Sequence, residues 1–139
     1  MTAPERHEPV VVVGFDGSTT SEHALHYAIG LAGRQGASVL AVHVLSAPYD
    51  PFWASQAAAD PTVRSGLEET VKDVAAHTDV PVTFTTAFGD PAAVLSRIAT
   101  DRRADAIVVG ASTAAVHKFF GSTAVRTVRN CPCPVTVVP

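Results

Sequence analysis

The chain has 139 residues, 47% hydrophobic and 17% charged, with a formal net charge of −3, which fits one domain with apolar residues enough for its own core. That balance offers no basic face for nucleic acid or an anionic membrane surface, and the apolar runs fall well short of the ~20 residues that span a bilayer. The opening stretch MTAPERHEPV has no apolar signal core, so a cytoplasmic location is expected.

Residues 1–9 are polar and proline-bearing and read as a flexible N-terminal tail, leaving residues 10–139 as the domain. Val10–Val13 is a β-branched run that ends in Gly14-Phe15, as expected of a strand buried on both faces. Asp16-Gly17-Ser18 follows with turn chemistry, placing Asp16 at the strand's carboxyl end. Thr19 and Glu22 have capping-box spacing, and Leu25, Ala28, Ile29 and Ala32 recur at helical intervals, predicting a helix to about Gln35 with Gly36 as its stop. Ser38–Leu45 is a second strand-length apolar run, parallel to the first if the helix crosses over.

The next stretch, 47–60, is rich in proline and aromatic residues and reads as a long loop. Asp60-Pro61 then supplies a cap and a first-turn proline, with Val63, Leu67, Val71 and Val74 marking the apolar face of a second helix to about His77. Val82–Ala87, with three threonines, suits a less buried strand at a sheet edge. Asp90-Pro91 repeats the cap-and-proline device before a third helix carrying Val94, Leu95 and Ile98. A fourth strand over Asp105–Val109 stops at Gly110. Beyond a loop, Gly121-Ser122-Thr123 opens a short fourth helix with Val125 and Val128 on one side, and Pro134–Val138 closes the chain as a strand.

Alternating strands and helices imply an α/β fold, an open doubly wound parallel sheet with helices on both faces. Ligands in such sheets collect beyond the strand carboxyl ends, where the strand order reverses. If the first and fourth strands flank that point, Asp16 and Gly110 face each other there. Small residues at the start of the fourth helix place unpaired N–H groups and the positive helix end where an anion can sit.

Four stretches resemble the universal stress protein family: VVVGFDGS (11–18), AVHV (41–44), FGDPAAVL (88–95), and VVGAS with GSTAVRTVRNCPCPVTVV (108–112 and 121–138). The likeness runs from Val10 to Val138. It implies a five-stranded sheet of order 3-2-1-4-5 and a homodimer paired through the last strand, which as an unpaired edge also asks for cover. The family's nucleotide-binding branch cradles ATP on a glycine-patterned loop. Here Gly110 matches the first glycine and Gly121-Ser122 the last pair, whereas Thr113 stands in place of the middle glycine and the segment Ala114–Phe120 is shorter than the pattern's. Ser112 and Thr113 supply hydroxyl donors instead. The implied nucleotide site is Asp16 at ribose or magnesium, the backbone of Val42 or Val44 at the base, and Gly110, Ser112, Thr113, Gly121, Ser122 and Thr123 around phosphate.

Other residues point to less. His117 and Lys118 are second-rank phosphate partners, and His43 reads as a hydrogen-bonded core histidine. His23 and His26 lie three apart on one helix without a third ligand, so no metal site is expected. Cys131 and Cys133 match neither a redox Cys-x-x-Cys nor a zinc knuckle and read as reduced structural thiols. There is no phosphate loop ending in Gly-Lys-Ser/Thr, no Gly-x-Ser-x-Gly elbow and no dinucleotide Gly-x-Gly-x-x-Gly. Catalysis beyond slow ATP hydrolysis is not expected. Two functions stand side by side: a dimeric stress-response module binding ATP, with magnesium, and a nucleotide-free interaction protein of the same fold that meets a partner through Tyr49–Trp53.

Overall fold

The computed structural model describes residues 7–45, 61–111 and 122–139, the side chains of 122–124 excepted. Five strands, β1 (Val10–Gly14), β2 (Ser38–Leu45), β3 (Val82–Phe88), β4 (Ala106–Gly110) and β5 (Val135–Val138), form one sheet in which every pair is parallel. Its order is β3-β2-β1-β4-β5. Among the described residues the helices are α1 (Thr19–Gln35), α2 (Pro61–Ala75), α3 (Pro91–Arg102) and α4 (Ser122–Asn130).

Alternate residues of the central strand supply two cores. Val11 and Val13 pack with Ala24, Leu25 and Ala28 of α1 and with Leu67, Val71 and Val74 of α2. Val10 and Val12 face the other way, with Leu95 and Ala99 of α3, Ile107 and Val109. Val11, Val12 and Val13 are wholly buried, each worth roughly 1.5–3 kcal/mol of transfer free energy. Because both faces of β1 are covered, its sequence is a continuous apolar run with no alternation. β3 is the opposite case: it lies at the edge, and its residues are half-buried or exposed throughout, which is why threonine is tolerated there.

Local chemistry sets the helix ends. The N-cap of α1 is Ser18, not Thr19: its hydroxyl accepts from the Ser21 N–H at 3.2 Å, so Thr19 is already the first helical residue. Gly36 closes that helix by donating its N–H to Ala32. Asp90 caps α3, accepting from the Ala93 N–H at 3.0 Å, with Pro91 at the first helical position. Asp60, the expected cap of α2, lies outside the described residues, as does the 47–60 loop. Val63 does not join the α2 apolar face and is 53% exposed. Among the described residues, no helix is long and apolar enough to cross a membrane.

Candidate functional site

The strand order reverses between β1 and β4, and the residues at that point come from three elements. Asp16 lies just past β1 in an Asx turn, its Oδ1 accepting from the Ser18 N–H at 2.9 Å while its own N–H reaches the Ser21 hydroxyl at 3.3 Å. Gly17 takes φ +84, a left-handed conformation that favours glycine, and the end of the Leu67 side chain packs close over it, 2.7 Å from where a Cβ would stand. Burial pushes the Asp16 carboxyl up, but hydrogen bonds from Ser18 and Ser21 outweigh it and hold the group below its ordinary value. Asp16 is therefore an anion at neutral pH, placed on a turn fixed by its neighbours.

Gly110 ends β4 directly against the first turn of α1. A Cβ built on it would lie 2.5 Å from the Thr20 carbonyl carbon, 2.6 Å from its oxygen and 2.8 Å from the Ser21 nitrogen. This glycine serves a close approach of two backbones rather than a left-handed turn. That contact places the end of β4 beside the Asp16 turn, so the two pieces expected to meet at the switch point do so.

The register of β2 adds a third wall. β1 pairs with β2 as far as Gly14 opposite Val42, and the Phe15 N–H takes the Val42 carbonyl at 2.8 Å. β2 continues three residues further. In a parallel ladder alternate residues turn their N–H and C=O to the same neighbour; His43 and Leu45 turn to β3, where the Gly89 N–H bonds the Leu45 carbonyl. Val44 therefore turns its N–H and C=O to the β1 side, at a level β1 no longer occupies. Of the two backbone candidates for a base, Val42 has its carbonyl engaged and Val44 faces the opening.

His43 is half-buried and its Nδ1 lies 3.1 Å from the Phe15 carbonyl oxygen, a structural partner for a core histidine. Ser112, Thr113 and Gly121, with His117 and Lys118, lie outside the described residues. Ser122 and Thr123 form the first turn of α4. His23 has its Nδ1 3.0 Å from the Pro139 carbonyl oxygen, and among the described residues no three His, Cys, Asp or Glu side chains group as metal ligands.

Two features were not foreseen. Arg126 on α4 donates to Asp90 Oδ1 at 2.7 Å, tying the cap of α3 to the helix that follows the central loop. The signal was weak, since nothing in the sequence pairs positions 36 residues apart. Cys131 and Cys133 bring their sulfurs to 3.0 Å, although their spacing matches no familiar motif.

An open parallel sheet of order β3-β2-β1-β4-β5, with a carboxylate turn and a strand overhang at its switch point, defines an α/β protein of the doubly wound class. Residues 9–139 match the model of the universal stress protein family. A universal stress protein of Staphylococcus epidermidis is 33% identical over 136 residues, covering 92% of this chain and 82% of the relative. Among solved structures, universal stress protein UspA from Lactobacillus plantarum superposes with a TM-score of 0.79 at 24% identity, covering 96% of this chain and 99% of that one. The universal stress protein of Archaeoglobus fulgidus in complex with dAMP gives a TM-score of 0.70 at 20% identity, covering 95% and 98%. The chain belongs to the universal stress protein family.

Proposed function

We propose that this chain is a homodimeric, cytoplasmic stress-response module that binds an adenine nucleotide past the carboxyl ends of β1 and β4. The observation that carries the reading is the overhang of β2 beyond β1: Val44 offers one donor and one acceptor, side by side, to the edge of a base. Asp16 stands next to it as a fixed anion for ribose hydroxyls or for the magnesium that accompanies ATP. Gly110 and the start of α4, with Ser112, Thr113, Gly121, Ser122 and Thr123, take the phosphates, using the unpaired N–H groups of the helix N-terminus. The dAMP held by the Archaeoglobus relative supports the adenine class. No residue is assigned to catalysis, and hydrolysis of ATP is at most slow.

Dimerisation is supported by surface chemistry. β5 is a short edge strand, and an unpaired edge is ordinarily covered. Val137 on it is 40% exposed, and Val125 and Val128 on the adjoining α4 are 48% and 56% exposed. The apolar side of α4 is thus turned outward, to where a second copy would cover it.

The test is isothermal titration of nucleotide-stripped protein with ATP and magnesium, and separately with AMP. Saturable binding in the micromolar range is expected. At 100 times Kd it would raise stability by about 2.7 kcal/mol, readable as a melting shift. No heat and no shift at millimolar nucleotide would overturn the reading and leave the nucleotide-free interaction protein, which Thr113 in place of the loop's middle glycine favours.

A further inference from the structure

Cys131 and Cys133 are the only two cysteines in the chain, and both are free and half-buried. They lie between α4 and β5, on a stretch held at both ends. The Cys131 N–H donates to the Thr127 carbonyl at 2.9 Å, and the Pro134 carbonyl accepts from the Ile107 N–H at 2.9 Å. Pro132 fixes its own φ between them. Within this short span the chain bends, and the two sulfurs stand 3.0 Å apart, closer than van der Waals contact. Both thiols also border the core beneath α3, so neither side chain is free to swing away.

We propose that Cys131 and Cys133 form a thiol–disulfide redox site, closing to an intrachain disulfide by exchange with a low-molecular-weight disulfide. Closing the bond asks for about 1 Å of sulfur movement to the disulfide length of ~2.05 Å. The same geometry argues against a metal. Two thiolates on a tetrahedral zinc, each bonded at ~2.3 Å, stand ~3.8 Å apart and need two further ligands, and no third His, Cys, Asp or Glu joins the pair among the described residues. A ring with one intervening residue is short and strained, which places it among the labile disulfides rather than the permanent ones.

Burial, and then the hydrogen bond shared with the Cys131 sulfur, push the Cys133 thiol up to about 12. In the exchange, one thiol of the pair gives its proton to solvent and attacks one sulfur of the small disulfide, whose S–S bond breaks; one small thiolate leaves and takes up a proton. The other thiol of the pair then attacks the chain sulfur of the mixed disulfide, and its proton goes with the departing second small thiol. Two chain thiols are oxidised and one small disulfide is reduced to two thiols. The site lies at the amino end of β5, opposite the strand ends that carry the nucleotide reading, and does not depend on it.

The experiment equilibrates the full chain in buffers of reduced and oxidised glutathione and reads intact mass, free thiols by alkylation, and a non-reducing denaturing gel. Expected is the joint loss of both thiols with a mass lower by two hydrogens, a chain still running singly, and full recovery in dithiothreitol. Cys133→Ser should stop at a glutathione adduct on Cys131. Cys131→Ser should likewise stop at an adduct on Cys133. Thiols that stay free in excess oxidised glutathione, a lasting adduct on the unaltered chain, or a disulfide between chains would overturn the proposal.

Discussion

Gly110 and Thr20 meet backbone to backbone: a methyl group on Gly110 would stand 2.5 Å from the Thr20 carbonyl carbon, with no flexible side chain in between to yield. Gly110→Ala must therefore push the first turn of α1 away from β4. Overpacking of this kind costs ~1–3 kcal/mol, so the melting temperature should fall by several degrees, measured by calorimetry. Nucleotide affinity should fall with it, because the Ser21 hydroxyl on that turn accepts from the Asp16 N–H and holds its turn in place. An alanine variant with unchanged melting would show that the contact relaxes without cost.

Asp90 performs two tasks of unequal worth. As the N-cap of α3 it satisfies the Ala93 N–H, and as a partner of Arg126 it joins a surface pair with both side chains more than a third exposed. Asp90→Ala should cost ~1 kcal/mol for the lost cap, whereas Arg126→Ala should cost less than ~0.5 kcal/mol. Chemical denaturation of both variants gives the comparison, and equal losses would mean that the ion pair carries more than its exposure permits.

The same residue carries a pH signature. The Arg126 hydrogen bond, and then the Ala93 N–H, hold the Asp90 carboxyl below its ordinary value of 3.8. A lowered folded-state pKa stabilises fully above the unfolded value and loses that contribution as pH falls through the folded one. The stability gap between the unaltered chain and Asp90→Asn should thus be constant near neutrality and shrink below pH 3.8. A gap that widens on acidification would contradict the sign.

How much of this was legible follows from the range of the forces involved. Asp90-Pro91 could be read because caps and first-turn prolines act within four residues, and Val10–Val13 because a doubly buried strand admits no polar residue. Ser18 and Thr19 are indistinguishable in sequence, since either hydroxyl makes a cap and only the turn geometry chooses Ser18. Val63, Val125 and Val128 have helical spacing but lie exposed, because periodicity reveals which side is apolar and not what covers it. The close approach at Gly110, the Arg126–Asp90 pair and the Cys131–Cys133 contact depend on how distant elements or a bent segment come to rest. Nor could spacing choose between Val42 and Val44, since the choice depends on where β1 stops.

Asp16→Asn separates the two roles given to that carboxylate. The amide oxygen can keep the Asx turn with Ser18, so the fold should survive, while the charge is lost. If Asp16 serves magnesium, affinity for magnesium-ATP should drop about 10-fold and affinity for AMP much less. If it serves ribose, both should drop alike. Unchanged titrations for both nucleotides would remove Asp16 from the site.

Val44→Pro tests the base contact. Proline deletes one N–H on the side of β2 that faces the opening, and the ladder to β3 runs through His43 and Leu45. Loss of a hydrogen bond to the base should weaken binding about 10-fold, near 1.4 kcal/mol, with circular dichroism confirming that the sheet remains. Equal affinity in the folded variant would move the adenine elsewhere.

Val137→Asp addresses assembly. It puts a charge on the exposed side of β5 without entering the core, since Val137 is 40% exposed in the single chain. Stability of the isolated chain should change by no more than ~0.5 kcal/mol, as for an ordinary surface substitution. A dimer paired along β5 would bury that carboxylate next to its twofold-related copy, so association should weaken by at least ~100-fold. Multi-angle light scattering at micromolar concentration should show two copies for the unaltered chain and one for the variant. Val128→Asp on α4 extends the test: if its apolar side shares the interface, that change also yields single chains, whereas dimers in the Val128 variant confine the contact to the strand. A single copy in the unaltered chain would remove the dimer from the proposal and leave the valines of α4 and β5 open to solvent.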